Sequence, residues 1–239
     1  MASLSFIGAG PGHPDWLTLR AYHLLQQAQL VVYDALVSQQ ILQLVNPYAS
    51  LIQVGKRSSQ RGYHPTEIAQ LLMNSYHQGN HTVRLKGGDV SIFARFYEEI
   101  LPIHEACIPF EIVPGITTAS GVCASLACAL THRSLASSVT FISAMEAISP
   151  FRWSKLISTS DTLVVYMPLA NLPSLIDGYL QAGGHPETPI LLVQWCSLDT
   201  QATLLGTIST INHQIQRHQF GPPSLAIIGE VTTLCIGST

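Results

Sequence analysis

Five short segments hold the residues whose types and spacing could do chemistry. They are Gly8-Ala9-Gly10-Pro11-Gly12, an isolated Asp34, Gly55-Lys56-Arg57, Lys86-Gly87-Gly88-Asp89 and Pro114-Gly115-Ile116-Thr117. Glycine-rich turns expose backbone amides that can cradle an anion. Pro11 removes one such amide and fixes φ, which suits a shaped wall better than a pyrophosphate cradle. The same stretch also reads as a plain tight turn, and Gly87-Gly88-Asp89 as a turn with Asp89 capping the next helix. Asp34 is harder to dismiss, because an aspartate after a buried-looking run must be solvated, paired or functional. Lys56, Arg57, Arg61, Arg84, Lys86 and Arg95 are six of the eleven Lys and Arg, packed into forty residues. Cations concentrated in a charge-poor chain point to an anionic ligand, the alternative being an ordinary solvated face.

Each segment directly follows a run with strand character. The candidate strands are Leu4–Ile7, Leu30–Tyr33, Leu51–Val54, His81–Leu85 and Phe110–Val113, then Val139–Ser143, Leu163–Met167, Ile190–Gln194 and Leu225–Ile228. Helical spacing marks 17–28 and 65–77, the second opening on Pro65. Alternation of strands and helices argues for mostly parallel α/β sheets, in which ligands sit at the carboxyl ends of strands. The first five segments would converge on one such edge. Nine strands are many for one open sheet in 239 residues, so two α/β domains are expected, 1–114 and 115–239.

Composition narrows the class. Apolar residues make up 47% and charged residues 10%, which supports a sizeable core and excludes the disorder signature. The formal net charge is −3, without the basic excess of a general nucleic-acid binder. The longest uncharged apolar stretch, near 119–130, is too short to span a bilayer, and the first residues lack a signal peptide's basic region. Five cysteines without a C-x-x-C make a disulfide framework or a zinc site unexpected, and the ten His form no metal-ligand spacing. The expectation is a cytoplasmic protein with no membrane or nucleic-acid partner and no bound metal.

Taken in order, the motifs are similar to those of a known family. The segments at 6–21 (FIGAGPGHPDWLTLRA), 31–38 (VVYDALVS), 54–57 (VGKR), 83–89 (VRLKGGD) and 114–121 (PGITTASG) carry the likeness. So do 130–133 (LTHR), 162–167 (TLVVYM) and 224–231 (SLAIIGEV). The chain resembles the tetrapyrrole methylases from about residue 4 to residue 234, and YDALVS with GKR points to the branch that acts on uroporphyrinogen III. The resemblance implies a two-domain α/β, class III S-adenosylmethionine methyltransferase fold with its active site in the interdomain cleft. It implies a homodimer that methylates uroporphyrinogen III at C2 and C7 to give precorrin-2, on the siroheme and cobalamin branch. By the same resemblance Asp34 is the proton acceptor and Lys56 the proton donor. Pro11, Gly87, Gly88, Asp89, Ile92, Thr117, Thr118, Met167, the Cys196 backbone and Ser224 would hold S-adenosylmethionine. Arg95, Glu98 and Arg133 would orient the substrate, whose eight carboxylates suit charge-assisted bonds.

The segment after Gly87-Gly88-Asp89 departs from the family pattern P-F-I-F-G-R-G-G-E-E. Here Val90, Ala94, Phe96 and Tyr97 replace the proline and three glycines, while Arg95, Glu98 and Glu99 remain. Phe96 and Tyr97 are therefore expected to narrow the substrate side or to stack on a pyrrole ring. Two rivals follow: a methyltransferase of the same fold acting on a different tetrapyrrole or other acceptor, and a non-catalytic binding module, against which Asp34 and Lys56 argue.

Overall fold

The computed structural model describes residues 2–55, 62–218 and 220–236. The chain divides into two compact units, Met1–Thr118 and Ala119–Thr239.

The first unit contains strands β1 (Ser3–Gly8), β2 (Leu30–Tyr33), β3 (Ser50–Gln53), β4 (His81–Lys86) and β5 (Glu111–Val113). They form one sheet in the order β3-β2-β4-β1-β5, and every adjacent pair is parallel. Helices α1 (Leu19–Gln27) and α2 (Gln39–Leu42) cover one face. Their Ala21, Leu24, Leu25 and Ile41 pack on Ile7, Val31, Val83 and Leu85. Helices α3 (Pro65–His77) and α4 (Phe96–Glu105) cover the other, with Ile68, Leu72 and Ile103 against Leu4, Phe6, Leu30 and Val32. Burial on both faces explains why β2, Leu-Val-Val-Tyr, reads as a continuous rather than an alternating apolar run. Local chemistry sets the helix starts. Thr18 Oγ1 accepts from Ala21 N–H at 3.2 Å, Ser38 Oγ from Ile41 N–H at 3.3 Å, and Pro65 opens α3 behind a His64–Glu67 capping box.

The strand order fixes where a ligand can enter. The connections β1–β2 and β2–β3 step one way along the sheet, and β3–β4 and β4–β5 step the other. Loops leaving the adjacent strands β1 and β4 therefore head in opposite directions, which is the switch point of a doubly wound sheet.

The second unit holds β6 (Val139–Ser143), β7 (Thr162–Tyr166), β8 (Pro189–Gln194), β9 (Ala202–Thr207) and β10 (Ser224–Ile228) in the order β6-β7-β10-β8-β9. Helix α5 (Thr118–Leu126) packs through Ala119, Val122 and Leu126 on Val164, Leu191, Leu225 and Ile227. Helices α6 (Pro150–Thr159) and α7 (Leu172–Gln181) pack on the opposite face, around Trp153 and Tyr179. Helix α8 (Ile211–His218) follows β9 and inserts Ile211 into the same core.

Two expectations fail in this unit. Only β6–β7 is parallel; β7–β10, β10–β8 and β8–β9 are antiparallel. The alternation rule misleads because β8 returns as β9 through successive turns at Trp195–Leu198 and Leu198–Gln201, with no helix between. Strand β9 itself is absent from the sequence reading, since Ala-Thr-Leu-Leu-Gly-Thr is an edge strand with no fully buried residue. The unit boundary also lies later than 114/115, after Thr118. The reason is close backbone packing beyond β5. A Cβ on Gly115 would lie 2.3 Å from Gly88 O, and one on Gly8 2.5 Å from Gly115 N.

This three-glycine contact has a testable cost. Gly115→Ala should lower unfolding stability by about 2–3 kcal/mol, read as a fall in the urea midpoint at constant slope. A midpoint unchanged from wild type would show that the strand ends separate freely.

Candidate active site

The carboxyl ends of the five parallel strands place Gly8, Tyr33, Gln53, Lys86 and Val113 along one edge of the first sheet. At the switch point, pairing continues beyond the strands. Ala9 N–H donates to Lys86 O at 2.7 Å, and Gly10 and Gly88 exchange both backbone bonds, at 3.1 and 2.8 Å. Asp89 then ties two loops together. Its Oδ2 accepts from Gly115 N–H at 2.9 Å, and its Oδ1 accepts from Ser91 N–H at 2.8 Å and Ser91 Oγ–H at 2.5 Å. Burial alone would raise this carboxyl's pKa, but the Ser91 and Gly115 hydrogen bonds outweigh it and hold the value below the usual aspartate range. Asp89 does not cap the next helix, as one reading of the sequence had it. Helix α4 begins seven positions later, behind Arg95 in the left-handed region.

Other residues expected at the cofactor gather on this edge. Thr118 Oγ1 lies 3.9 Å from where a Cβ on Gly88 would stand. Thr117 precedes it, and Ile92 is half-buried one turn beyond Asp89. Pro11 is half-buried, and the next carbonyl, Gly12 O, accepts from Ser38 Oγ–H at 2.6 Å, which pins the loop to the start of α2.

Asp34 stands at the end of β2, its side chain 28% exposed. Its Oδ1 accepts from Arg84 Nη2 at 2.6 Å. Among the described residues, Oδ2 has no hydrogen-bond partner. Arg84 itself is buried, because the two-residue period of β4 turns Thr82, Arg84 and Lys86 toward α4 and Val83 and Leu85 toward α1. Glu99 of α4 meets them. Arg84 Nε donates to Glu99 Oε2 at 2.7 Å and Nη2 to Oε1 at 2.9 Å; Lys86 Nζ donates to Oε1 at 2.5 Å. Arg84 Nη1 completes the set with Leu85 O at 3.1 Å and Val32 O at 3.5 Å. Burial disfavours both cations. Asp34 and Glu99 more than compensate at Arg84, whose pKa is raised; at Lys86, burial followed by repulsion from Arg84 prevails and the pKa is lowered.

This arrangement corrects the reading of the clustered cations. Arg84 and Lys86 face neither an anionic ligand nor solvent, because Glu99 and Asp34 neutralise them inside the unit. Arg95 is exposed and ion-paired with Glu98. Lys56, the expected proton donor, lies outside the described residues, as do Arg57 and Arg61. Phe96 is corrected as well. It packs edge-on against Phe6 at 5.3 Å and 73°, within the core between α4 and the sheet, and so does not narrow a substrate surface. Tyr97 is 69% exposed. None of Ala94, Phe96 and Tyr97, which replace glycines of the family pattern, has positive φ, so no glycine conformation is lost there.

Glu99 was missed as a site residue. Its signal is its position: it lies three residues after Phe96 and four before Ile103, on the apolar stripe of α4. A lone acid on such a stripe needs a buried partner.

In the second unit, the antiparallel pairing brings Met167, Cys196 and Ser224 to one edge. Ser224 pairs with Gln194 and Leu225 with Tyr166, so the start of β10 lies between the ends of β7 and β8. Met167, Trp195 and Ser197 all have left-handed backbones, at φ 56°, 50° and 68°; Phe93 and Arg95 do so in the first unit, at 50° and 49°. Non-glycine residues in this region store strain, and such strain clusters at functional sites. Burial pushes the Cys196 thiol up to about 12, which leaves its backbone as the part that could contact a ligand. Ser224 Oγ is buried with no hydrogen-bond partner among the described residues, a polar atom in need of one. Arg133 is exposed in the tight His132–Ala136 turn after α5. A cavity of about 620 Å³ between α6 and α7, lined by Trp153, Asn171 and Asp177, contains none of these residues. The strand ends of the first unit carry the better case, because Asp34 and the glycine-rich turns share that edge.

Comparison with known proteins gives the family. The family described as Tetrapyrrole (Corrin/Porphyrin) Methylases matches residues 3–212. A uroporphyrinogen-III C-methyltransferase from Cyanidium caldarium is 48% identical over 229 residues, which cover 94% of this chain and 91% of that one. A siroheme synthase from Ectopseudomonas mendocina is 40% identical over 98% of this chain, but this chain spans only 51% of it. Among solved structures, a Thermus thermophilus uroporphyrin-III C-methyltransferase complexed with S-adenyl homocysteine is similar with TM-score 0.80 and 31% identity, covering 97% of this chain and 99% of that one. A cobalt precorrin-4 methyltransferase shares the fold, with TM-score 0.85 at 23% identity over 95% of this chain and 94% of its own. With the family's motifs folded into these strand ends and its profile running through both units, the chain belongs to the tetrapyrrole methylases.

Proposed function

We propose that this chain is an S-adenosylmethionine-dependent methyltransferase that methylates uroporphyrinogen III at C2 and C7 to give precorrin-2. The observation that carries the reading is the Asp34 carboxylate at the switch edge, with one oxygen held by Arg84 and the other without a partner among the described residues. Similarity to the algal and Thermus enzymes supports both the substrate and the methyl donor. Phe96 packs on Phe6, which leaves the exposed Tyr97 as the aromatic replacement that would favour a different acceptor.

The residues fit the donor. Within the first unit, Pro11, Gly87, Gly88, Ile92, Thr117 and Thr118 would hold it; within the second, Met167, the Cys196 backbone and Ser224, whose buried Oγ has no partner among the described residues, would do so. When bound, S-adenosylmethionine supplies a methyl group already activated by its sulfonium charge. Asp34 accepts the pyrrole N–H proton as the ring β-carbon, C2 or C7, attacks, which is general-base catalysis. Arg84 keeps that carboxylate in one orientation, so alignment precedes reaction. Lys56 returns a proton, and Arg95, Glu98 and Arg133 orient the carboxylated macrocycle. Asp89 shapes the loop rather than reacting, since both its oxygens are engaged. The protein acts as a cytoplasmic homodimer, as the resemblance implies; no helix among the described residues is long and apolar enough to cross a membrane.

Anaerobic incubation with S-adenosylmethionine and fresh uroporphyrinogen III should add two methyl groups by mass spectrometry; no gain, with donor binding shown separately, would send the search to other acceptors. Asp34→Asn should cut kcat by about 10²–10⁴ while leaving S-adenosylhomocysteine affinity intact by calorimetry. An unchanged rate would remove Asp34 from the mechanism. Asp89 has a depressed folded pKa, so its stabilising effect is full above the ordinary aspartate range and is lost as pH falls through the folded value. Asp89→Asn should therefore unfold at lower temperature than wild type at pH 7 and converge with it below about pH 3. Parallel melting curves across that range would contradict a held carboxylate.

A further inference from the structure

The buried quartet has a charge balance with a consequence for the base. Arg84 and Lys86 carry two positive charges, and Glu99 and Asp34 carry two negative ones. Three of these side chains are almost fully buried, at 1%, 2% and 4% exposure, and only Asp34 reaches solvent. Arg84 uses all five N–H groups: two on Glu99, one on Asp34 and two on backbone carbonyls. Glu99 is thus the group that holds the guanidinium plane, and with it the Asp34 carboxylate. Lys86 touches Glu99 but not Asp34, so it reaches the base through space and through Glu99.

We propose that Glu99 and Lys86 are positioning residues that set the net charge facing Asp34, so that the carboxylate meets the substrate with its two buried cations balanced by one buried anion. The inference rests on Asp34 being the general base. Among the described residues, the charged groups around Asp34 come from two packed elements, Arg84 and Lys86 of β4 and Glu99 of α4. Glu98 of α4 and His64 before α3 lie at the outer end of the cluster, where Glu98 senses both His64 and Lys86. Lys86 is apolar along its stem and enclosed, so a methionine of similar shape can replace it without a void. Removing its charge leaves Glu99 and Asp34 with Arg84 alone, which makes a proton on Asp34 more favourable. Removing the charge of Glu99 as well restores the balance.

The test is the pH dependence of kcat for wild type, Lys86→Met, the double variant Lys86→Met/Glu99→Gln and Asp34→Asn, with melting temperature recorded for each. Lys86→Met should move the acid limb to higher pH by about one pH unit, and the added Glu99→Gln should bring it back toward wild type. A purely structural role would lower kcat without moving the limb, and an unmoved limb in Lys86→Met overturns the proposal. If the double variant does not fold, Lys86→Met alone decides. Asp34→Asn separates the two claims. Wild-type activity in Asp34→Asn overturns the base itself, whereas an inactive Asp34→Asn with an unmoved limb in Lys86→Met overturns only the tuning by Lys86 and Glu99.

Discussion

The Arg84–Glu99 ion pair is the constraint on which the first unit's site depends. It joins the central strand β4 to helix α4 across the buried face of the sheet, with two hydrogen bonds at 2.7 and 2.9 Å. Desolvating these charges costs several kcal/mol per ion, and their attraction repays it only when the remaining donors are met. Here they are met, because Arg84 also reaches Asp34, Leu85 O and Val32 O. Leaving one partner unpaired would cost about 3–5 kcal/mol, a large share of the 5–15 kcal/mol that holds a typical protein folded. The pair is thus a poor way to gain stability and an effective way to fix geometry. What it fixes is the direction of the Asp34 carboxylate at the edge where the strands end.

Backbone packing supplies the second constraint. Gly8 and Gly115 approach each other and Gly88 O too closely for any side chain of their own, and the Gly10–Gly88 bridge and the Asp89–Gly115 bond close the same gap. Three strand ends that could splay are held as one surface. The glycine-rich segments are tight turns whose groups pair with one another, Gly10 with Gly88 and Gly115 with Asp89.

Much of this was legible from residue order. The first unit's strands, the helix at 65–77 and the shared edge follow from apolar runs bounded by turn residues, and Asp34 stood out because a buried-looking strand ends on an acid. The second sheet was less legible. Antiparallel pairing depends on contacts distant in sequence, and β9 has too little buried surface to leave an apolar signature. Arg84 and Lys86 misled for a different reason. A cation beside a glycine loop looks like a ligand contact until the partner on α4 is seen, and Glu99 lies thirteen residues beyond Lys86. Phe96 was misplaced because a sequence position next to a site does not say which way the helix turns its side chain.

A double-mutant cycle on unfolding free energy tests the central pair most directly. Run in the Lys86→Met background, Arg84→Met leaves Glu99 buried without a partner and Glu99→Leu leaves Arg84 with Asp34 as its one carboxylate, whereas the double variant leaves neither buried charge. The account predicts that the double variant is more stable than at least one single variant, with a coupling of about 2 kcal/mol or more. Additive losses, with coupling near zero, would show that the two side chains are neighbours without being the constraint that holds the site.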